Sequence, residues 1–103
     1  MSFEQFKQHY ETKHVPLVQS LTDLSSAPLF YTRKYVQRAK DDAAGAASPD
    51  FDAITELAFT DEESYKRWAS KIMSGTGGTA IAEDMATFTD QARCRMCTVD
   101  VIA

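Results

Sequence analysis

The apolar positions in residues 2–21 recur at helical spacing and predict one amphipathic helix. Ser2 and Gln5 have the spacing of a capping box, in which the hydroxyl and the amide satisfy free backbone donors of the first turn. Pro16 removes one backbone donor and crowds the turn before it. The helix is therefore expected to kink near Val15 or to restart with Pro16 in its first turn. The apolar arc consists of Phe3, Phe6, Tyr10, Leu17 and Leu21, with His14 inside it.

Alternating patterns rich in aromatic and β-branched side chains predict strands over residues 29–38 and 52–59. A third strand is predicted over residues 94–102, CRMCTVDVI, at the end of the chain. Residues 39–51, between the first two strands, are mainly small residues, Gly, Pro and acids, and this composition predicts a long loop.

Residues 60–73 predict a second helix, because Thr60 is a suitable cap and acidic side chains follow at the positive end of the helix dipole. Residues 74–79, SGTGGT, predict a flexible break, and residues 80–90 predict a short helix. The order α-β-β-α-(α)-β predicts an α+β fold, a two-layer sandwich with the helices on one face of the sheet. The expected buried positions are Tyr65, Trp68, Ala69, Ile72 and Met73 on the second helix, and Ile81, Met85 and Phe88 on the short one.

The size and composition of the chain narrow the class of protein. The length of 103 residues is typical of a single domain, here residues 1–103, and the 44% of hydrophobic and 25% of charged residues are average globular values. A net charge of −4 without a basic stripe argues against nucleic-acid binding, and no apolar run is long enough to cross a membrane. Two cysteines and no secretory signal predict a cytoplasmic protein.

Both histidines lie in the first predicted helix, five residues apart. Side chains at this spacing on an α-helix diverge by about 140°, so His9 and His14 do not form the i, i+4 pair typical of a helical metal site. No metal is therefore expected. Tyr10 and His14 are four residues apart and share a face, which fits a proton-handling pair. The alternative is that His14 is an ordinary core histidine, hydrogen-bonded to a neighbour at the helix break.

Polar side chains on the predicted strands are further candidates. Glu56 lies among apolar neighbours, where a carboxylate can act as an acid or a base; alternatively it is exposed, or pairs with Arg33 or Lys34 across the sheet. Arg33 shares its strand face with Tyr31 and Tyr35, and two aromatic rings with one cation suit a planar phenolic acid. The alternative for this strand is an edge position with surface charge.

The C-terminal third of the chain gives weaker signals. Phe88 is expected in the core, and Asp84 is expected as a cap, a surface acid or part of a pocket rim. Cys94 and Cys97 have CxxC spacing, but on a strand such positions point to opposite faces, so a structural role is expected. Residues 74–79 lack the lysine of a phosphate-binding loop, which argues against nucleotide binding.

Four segments together resemble the EthD family of small dimeric α/β-barrel proteins, in particular its branch in fungal aromatic polyketide pathways. They are FEQFKQHYETKHVPLV, LFYTRKYV, FDAITELAFTDEESYKRW and AEDMATFTD, and the resemblance covers roughly residues 3–99. It implies a ferredoxin-like fold in which two identical chains pair their sheets into a barrel. Family members normally begin with a central strand before the first helix. Here Met1 and Ser2 lead directly into that helix, so the sheet is expected to lack its first strand.

The resemblance also implies a function. Characterised fungal members are similar to cofactor-free decarboxylases of anthraquinone-type acids, so we expect a decarboxylase or cyclase that acts on an aromatic polyketide acid. A non-catalytic small-molecule binder, an accessory subunit and a cofactor-free oxidoreductase are the alternatives. His14 is expected to move the proton, with help from Tyr10, His9 and Glu56. The substrate is expected between the first helix and the sheet, against Phe6, Tyr31, Arg33, Tyr35, Asp84 and Phe88.

Overall fold

The chain forms helices packed on a small antiparallel sheet. The structure is a computed structural model that describes residues 1–37 and 49–102, so most of the predicted loop 39–51 lies outside the described residues. The elements are α1 (Phe3–His9), a π-helical segment (Tyr10–His14, called the π segment below), α2 (Val15–Ser20), β1 (Phe30–Tyr35), β2 (Ala53–Ala58), α3 (Glu62–Met73) and α4 (Gly75–Phe88), with 3₁₀ turns at Leu24–Ser26 and Gln91–Arg93.

The predicted start and the predicted irregularity of the first helix are both confirmed. The Gln5 amide donates to Ser2 Oγ at 3.1 Å and the Ser2 amide donates to Gln5 Oε1 at 2.8 Å, which completes the capping box. The irregularity before Pro16 is the π segment, in which the Val15 amide donates to the Tyr10 carbonyl five residues earlier.

Two local features explain the wider turn of the π segment. Pro16 lies in the first turn of α2, where it donates no backbone hydrogen bond and its ring crowds the carbonyl of Thr12. The Thr12 hydroxyl donates to the Gln8 carbonyl at 2.7 Å and competes there with the backbone. A wider turn relieves the crowding and keeps the helix continuous.

The sheet contains two strands in the described residues, β1 and β2, which pair antiparallel. Both predicted strands are therefore confirmed, each slightly shorter than expected. The helices cover the face that carries Tyr31, Arg33, Tyr35, Thr55 and Leu57, so the predicted two-layer α+β arrangement is also confirmed. The opposite face is exposed and carries Phe30, Thr32, Lys34, Ile54 and Glu56.

The prediction of a third strand over residues 94–102 was wrong. These residues are exposed and form neither helix nor strand after the turn at Gln91–Arg93. A strand requires a neighbouring strand with which to exchange backbone hydrogen bonds. The strands of the sheet in the described residues are β1 and β2, and residues 94–102 pair with neither of them.

The boundaries of the last two helices differ from their predictions. Asp61, rather than Thr60, caps α3, and its carboxylate accepts a hydrogen bond from the Ser64 amide at 2.7 Å. The break expected over residues 74–79 was wrong beyond Ser74, because α4 already begins at Gly75. Gly75 has a φ of 65°, a left-handed conformation that glycine adopts without strain, and it reverses the chain between the two helices.

Gly78 allows the end of α3 and the start of α4 to approach closely. A Cβ atom at this position would lie 2.6 Å from the Met73 carbonyl carbon, which is backbone and cannot move aside easily. We therefore expect Gly78→Ala to lower the free energy of unfolding by about 2 kcal/mol, measured by urea denaturation. Gly77→Ala is the matched control, because its nearest neighbour is the flexible Leu21 side chain at 3.2 Å. Equal stability of the two variants would contradict the explanation.

The core lies between α2, α3 and the sheet. Val18, Trp68 and Ile72 are its buried centre, and the predictions for Trp68 and Ile72 are confirmed. Met73 was wrongly expected there and is 52% exposed. Around this centre pack the partly buried side chains of Leu21, Tyr31, Leu57, Phe59, Ala69 and Ile81. None of the helices in the described residues has the length and apolar character needed to cross a membrane.

Candidate functional site

The candidate site consists of two imidazoles that meet at one carboxylate. His9 Nε2 lies 2.8 Å from Asp84 Oδ1, and His14 Nδ1 lies 2.8 Å from Asp84 Oδ2. Asp84 lies on α4, whereas the histidines lie at the end of α1 and the end of the π segment. The side chain of His14 is 6% exposed, that of Asp84 19% and that of His9 20%. His9 is therefore the imidazole that a molecule from solvent can reach more readily.

The π segment explains why the two histidines converge. The divergence of about 140° expected from their spacing holds for an α-helix. In a π-helix the hydrogen bonds join residues five apart, so side chains at that spacing lie on the same face. His9 and His14 are five apart and flank this wider turn, which directs both rings towards Asp84. The sequence argument excluded a histidine pair because it assumed regular helix.

Hydrogen bonding at Asp84 defines the protonation state of the cluster. Burial alone would raise the pKa of the Asp84 carboxyl, but the hydrogen bonds from His9 and His14 hold the pKa below its ordinary value. The ionised carboxylate accepts a hydrogen bond from each ring, so His9 bears a proton on Nε2 and His14 bears one on Nδ1. In the neutral form of each ring, the nitrogen left as a base is Nδ1 of His9 and Nε2 of His14.

Phe88 packs against both imidazoles. The His9 ring stacks on it with centroids 4.7 Å apart, and the His14 ring lies 5.1 Å away at a tilt. Phe88 is buried, as predicted. Phe6 lies 5.8 Å and Tyr10 5.3 Å from the same ring, so a layer of aromatic side chains fills the space between the helices and the sheet.

Phe6 and Phe88 also line a cavity of about 450 Å³. The volume falls in the range of small-molecule sites. His9 and His14 are not among its lining residues, so Phe88 borders the cavity on one side and the imidazoles on another. The remaining lining residues are Met1, Ser2, Phe3, Asp52, Thr87, Thr89 and Asp90.

Tyr10 contacts His14 without a hydrogen bond between the side chains. The two rings pack edge to face with centroids 5.5 Å apart, and the Tyr10 hydroxyl instead bonds to Thr55 Oγ1 on β2. The expected shared face of Tyr10 and His14 is thus present. The phenol attaches the π segment to the sheet through Thr55 and forms no hydrogen bond with His14 in the described contacts.

Arg33 forms an ion pair with Glu11, a residue that the sequence analysis did not identify as a candidate. Its Nε and Nη2 atoms donate to the two carboxylate oxygens of Glu11 at 2.9 and 2.7 Å. Nη1 donates to the Tyr31 carbonyl, and the Tyr35 hydroxyl donates to Glu11 Oε2. Arg33 and Tyr35 therefore hold the π segment, in which Glu11 lies, against β1.

These contacts shift the pKa values of the cluster. The hydrogen bonds from Arg33 lower the pKa of Glu11 to about 2, although burial acts in the opposite direction. Burial raises the pKa of the Tyr31 and Tyr35 phenols, which stay neutral. Because the pKa of Glu11 is depressed, its contribution to stability is complete above the ordinary value of 4.5 and is lost as the pH falls towards 2. At a side chain 35% exposed, this contribution is about 1–2 kcal/mol after solvent screening.

Comparison with known proteins identifies the family. The family model of the EthD domain matches residues 1–92. The chain belongs to the EthD family. EthD proteins are ferredoxin-like dimeric α/β-barrel proteins, and the helices and antiparallel strands described above are consistent with that class. No curated protein and no solved structure matches the chain.

The other polar candidates of the EthD domain lie apart from the imidazoles. Glu56 lies on the exposed face of the sheet, where its carboxylate accepts from Lys34 Nζ at 2.8 Å, as in the alternative considered above. Cys94 and Cys97 are free and exposed, and the strand on which their interpretation depended is absent. Within residues 1–37 and 49–102, no group of three His, Cys, Asp or Glu side chains is arranged to hold a metal ion.

The sequence analysis did not identify Glu11 or Thr55, and it gave Asp84 no role beyond a cap, a surface acid or part of a pocket rim. On a regular helical wheel with His14 at zero, Glu11 falls near 60°, outside the apolar arc. Thr55 gave no signal of its own because a threonine is ordinary in a strand. The sequence signal for the π segment was Thr12 four residues before Pro16, because both residues disturb the backbone hydrogen bonds of the same helical turns.

Proposed function

We propose that this EthD domain is a cofactor-independent enzyme of secondary metabolism, a cyclase or decarboxylase that moves a proton on a planar aromatic polyketide. The observation that carries the proposal is the bridge from His9 through Asp84 to His14. Two imidazoles on one ionised carboxylate form a preoriented acid–base group. His9 stacks on Phe88, which also borders a cavity of suitable volume.

His9 is assigned the role of the general acid–base. It is the more exposed imidazole, and its Nδ1 atom is free to exchange a proton with a ligand. Asp84 orients that ring and stabilises its protonated form. His14 is almost completely buried and donates the second hydrogen bond to Asp84, so its contribution is to keep the carboxylate ionised and in place. Positioned acid–base groups of this kind typically accelerate a reaction by about 10²–10⁴.

The charge distribution favours ring closure over decarboxylation. Arg33, the cation expected to bind the carboxylate of a substrate, is neutralised by Glu11. None of the described residues that line the cavity has a basic side chain. A neutral ligand needs no cationic side chain there, whereas a carboxylate ligand would find none to bind it.

A non-catalytic binder is the second candidate function. It is favoured by one observation, namely that the cavity lining includes Phe88 but neither imidazole. In that case the aromatic layer would bind a planar molecule, and the bridge at Asp84 would only stabilise the packing of the first helix against α4.

We also propose that the whole chain is one EthD domain and that it forms a homodimer in the cytoplasm. Two strands alone are marginally stable in water, and the exposed face of this sheet carries the apolar side chains of Phe30 and Ile54, each 46% exposed. Burial of this face by a second copy would stabilise the sheet. The free thiols of Cys94 and Cys97 suit a reducing compartment.

Turnover of model substrates tests the proposed function. The purified protein is incubated with a hydroxyanthraquinone carboxylic acid and, separately, with a linear aryl polyketone, and products are separated by chromatography. We expect conversion by the wild type and a loss of about 10²–10⁴-fold in kcat/KM for His9→Gln. Glutamine keeps an amide donor for Asp84 but cannot exchange a proton. Lys34→Gln, on the exposed face of the sheet, is the control and is expected to match the wild type.

The outcomes distinguish the enzyme from the binder. Conversion that is lost in His9→Gln and retained in Lys34→Gln supports the enzyme. Saturable binding of either compound without conversion supports the binder. Conversion that His9→Gln leaves unchanged overturns the assigned chemistry, and neither binding nor conversion argues against both candidates.

A further inference from the structure

We infer that Glu11 is a positioning residue of the site, because its attachment to β1 holds the helix in the π register that brings His9 and His14 together. The inference rests on the proposed function only because that function gives the two imidazoles their roles in catalysis. Glu11 itself contacts neither imidazole in the described contacts. It acts through the backbone of the segment in which it lies.

The contacts of Glu11 are stronger than those of an ordinary surface ion pair. Both carboxylate oxygens receive a hydrogen bond from the guanidinium group of Arg33, a bidentate geometry that fixes the orientation of both side chains. The Tyr35 hydroxyl adds a third hydrogen bond to the same carboxylate. Since Arg33 and Tyr35 belong to β1, these three bonds attach one residue of the π segment to one strand of the sheet.

A π-helical turn depends on such attachments. It is rare because its hydrogen-bond geometry is less favourable than that of an α-helix, so tertiary contacts must select it. Pro16 disfavours a regular α-helix at this point, but a kink would relieve its crowding equally well. Two neighbouring residues of the π segment bind the sheet, Tyr10 through Thr55 on β2 and Glu11 through β1. These contacts set the register that the proline leaves open.

Loss of the register has a defined consequence at Asp84. If the segment returns to α-helical geometry, side chains five apart diverge by about 140°. His9 and His14 can then no longer both donate to the two oxygens of one carboxylate. A change at Glu11 is therefore transmitted to Asp84 although the two residues lie on different elements and share no hydrogen bond.

Nuclear magnetic resonance of the histidine side chains tests this inference without a substrate. In the wild type we expect His9 to carry its proton on Nε2 and His14 on Nδ1, with both N–H signals protected from exchange. In Glu11→Ala we expect both protected signals to be lost and both rings to show the averaged tautomers of exposed histidines. In Glu11→Gln, which keeps one acceptor for Arg33, we expect partial protection.

Two further variants separate positioning from general stability. Glu56 forms an ion pair with Lys34 on the exposed face of the sheet. Glu56→Gln breaks this pair and is expected to leave both histidine signals unchanged. Arg33→Gln removes the partner instead of Glu11 and is expected to reproduce the loss. Circular dichroism and urea denaturation identify any variant that is simply unfolded, and Glu11→Gln is the variant chosen to remain folded.

The outcomes are distinct from those of the turnover experiment. Folded Glu11 variants that retain both protected signals overturn the inference, and so do signals lost equally in Glu56→Gln. If the wild type shows the expected signals, folded Glu11 variants lose them and no substrate is converted, the proposed function fails and the inference on the register stands. If the wild type lacks the signals, the bridge at Asp84 is absent from solution and both fail.

Discussion

Asp84→Asn is expected to lower kcat/KM for the proposed reaction by about 10²–10⁴-fold, with little change in the fold. An asparagine side chain has one oxygen and one amide, so it can accept a hydrogen bond from one imidazole and must donate to the other. The ring that receives the donated hydrogen bond is forced into the opposite tautomer, with its base directed at residue 84. Asp84 accepts from both His9 Nε2 and His14 Nδ1, so no orientation of the amide preserves both contacts.

The pH dependence of stability provides an independent check on Asp84. Its pKa is depressed in the folded protein, so its stabilising contribution is complete above the ordinary value of 3.8 and is lost as the pH falls below that value. The difference in the free energy of unfolding between the wild type and Asp84→Asn should therefore be largest near neutral pH and should shrink below pH 3.8. Urea denaturation between pH 2 and pH 7 measures it. A difference that does not change with pH would show that the pKa of Asp84 is not lowered in the folded protein.

Trp68→Ala is expected to lower the free energy of unfolding by about 3–5 kcal/mol. Trp68 is 7% exposed and packs with Val18 and Ile72 at the centre of the core. Its indole N–H donates to Thr22 Oγ1 at 3.1 Å, and its ring lies 5.4 Å from that of Phe59. Removal of the ring leaves a cavity at the junction of α2, α3 and the sheet. In a domain with a typical stability of about 5–15 kcal/mol, this loss removes a large share of the free energy of unfolding.

Met73→Ala is the matched control for Trp68. Both residues lie on α3, but the Met73 side chain is 52% exposed, so the expected change is within about 0.5 kcal/mol. Thr22→Val isolates the hydrogen bond of the indole and is expected to cost about 1 kcal/mol. Thermal and urea denaturation of the three variants gives the comparison. A loss of less than about 1 kcal/mol in Trp68→Ala would contradict its central position in the core.

The sequence predicted those parts of the fold that depend on local pattern. The capping box at Ser2, both strands of the sheet and the buried face of α3 around Trp68 follow from periodicity and side-chain chemistry. The third strand failed because strand formation depends on a neighbour, which residues 94–102 cannot encode by themselves. The start of α4 failed because glycine has a low helix propensity, whereas Gly78 is required there for close packing on Met73.

Five of the side chains that the sequence named as candidates lie together in the structure, but the geometry that joins them was not predictable. His9, His14, Tyr10, Phe88 and Asp84 were all named from the sequence, and they do lie together. Their connection depends on one π-helical turn, which cannot be read from a wheel drawn for regular helix. The contacts of Arg33 with Glu11 depend on the packing of a helix against a strand more than twenty residues away in the chain, and no local pattern encodes such a distance.

The π segment has a consequence for the length of this helix. A wider turn is equivalent to one additional residue inserted into a regular helix, so deletion of one residue between positions 10 and 14 would restore ordinary periodicity. The helix before this turn would keep its present orientation, because the wider turn already accommodates the extra residue. Phe3 and Phe6 would still line the cavity, and Val15 and Val18 would stay in the core. The shortened chain would place the two histidines four residues apart on one face of an ordinary helix, and would no longer need contacts with the sheet to hold them there.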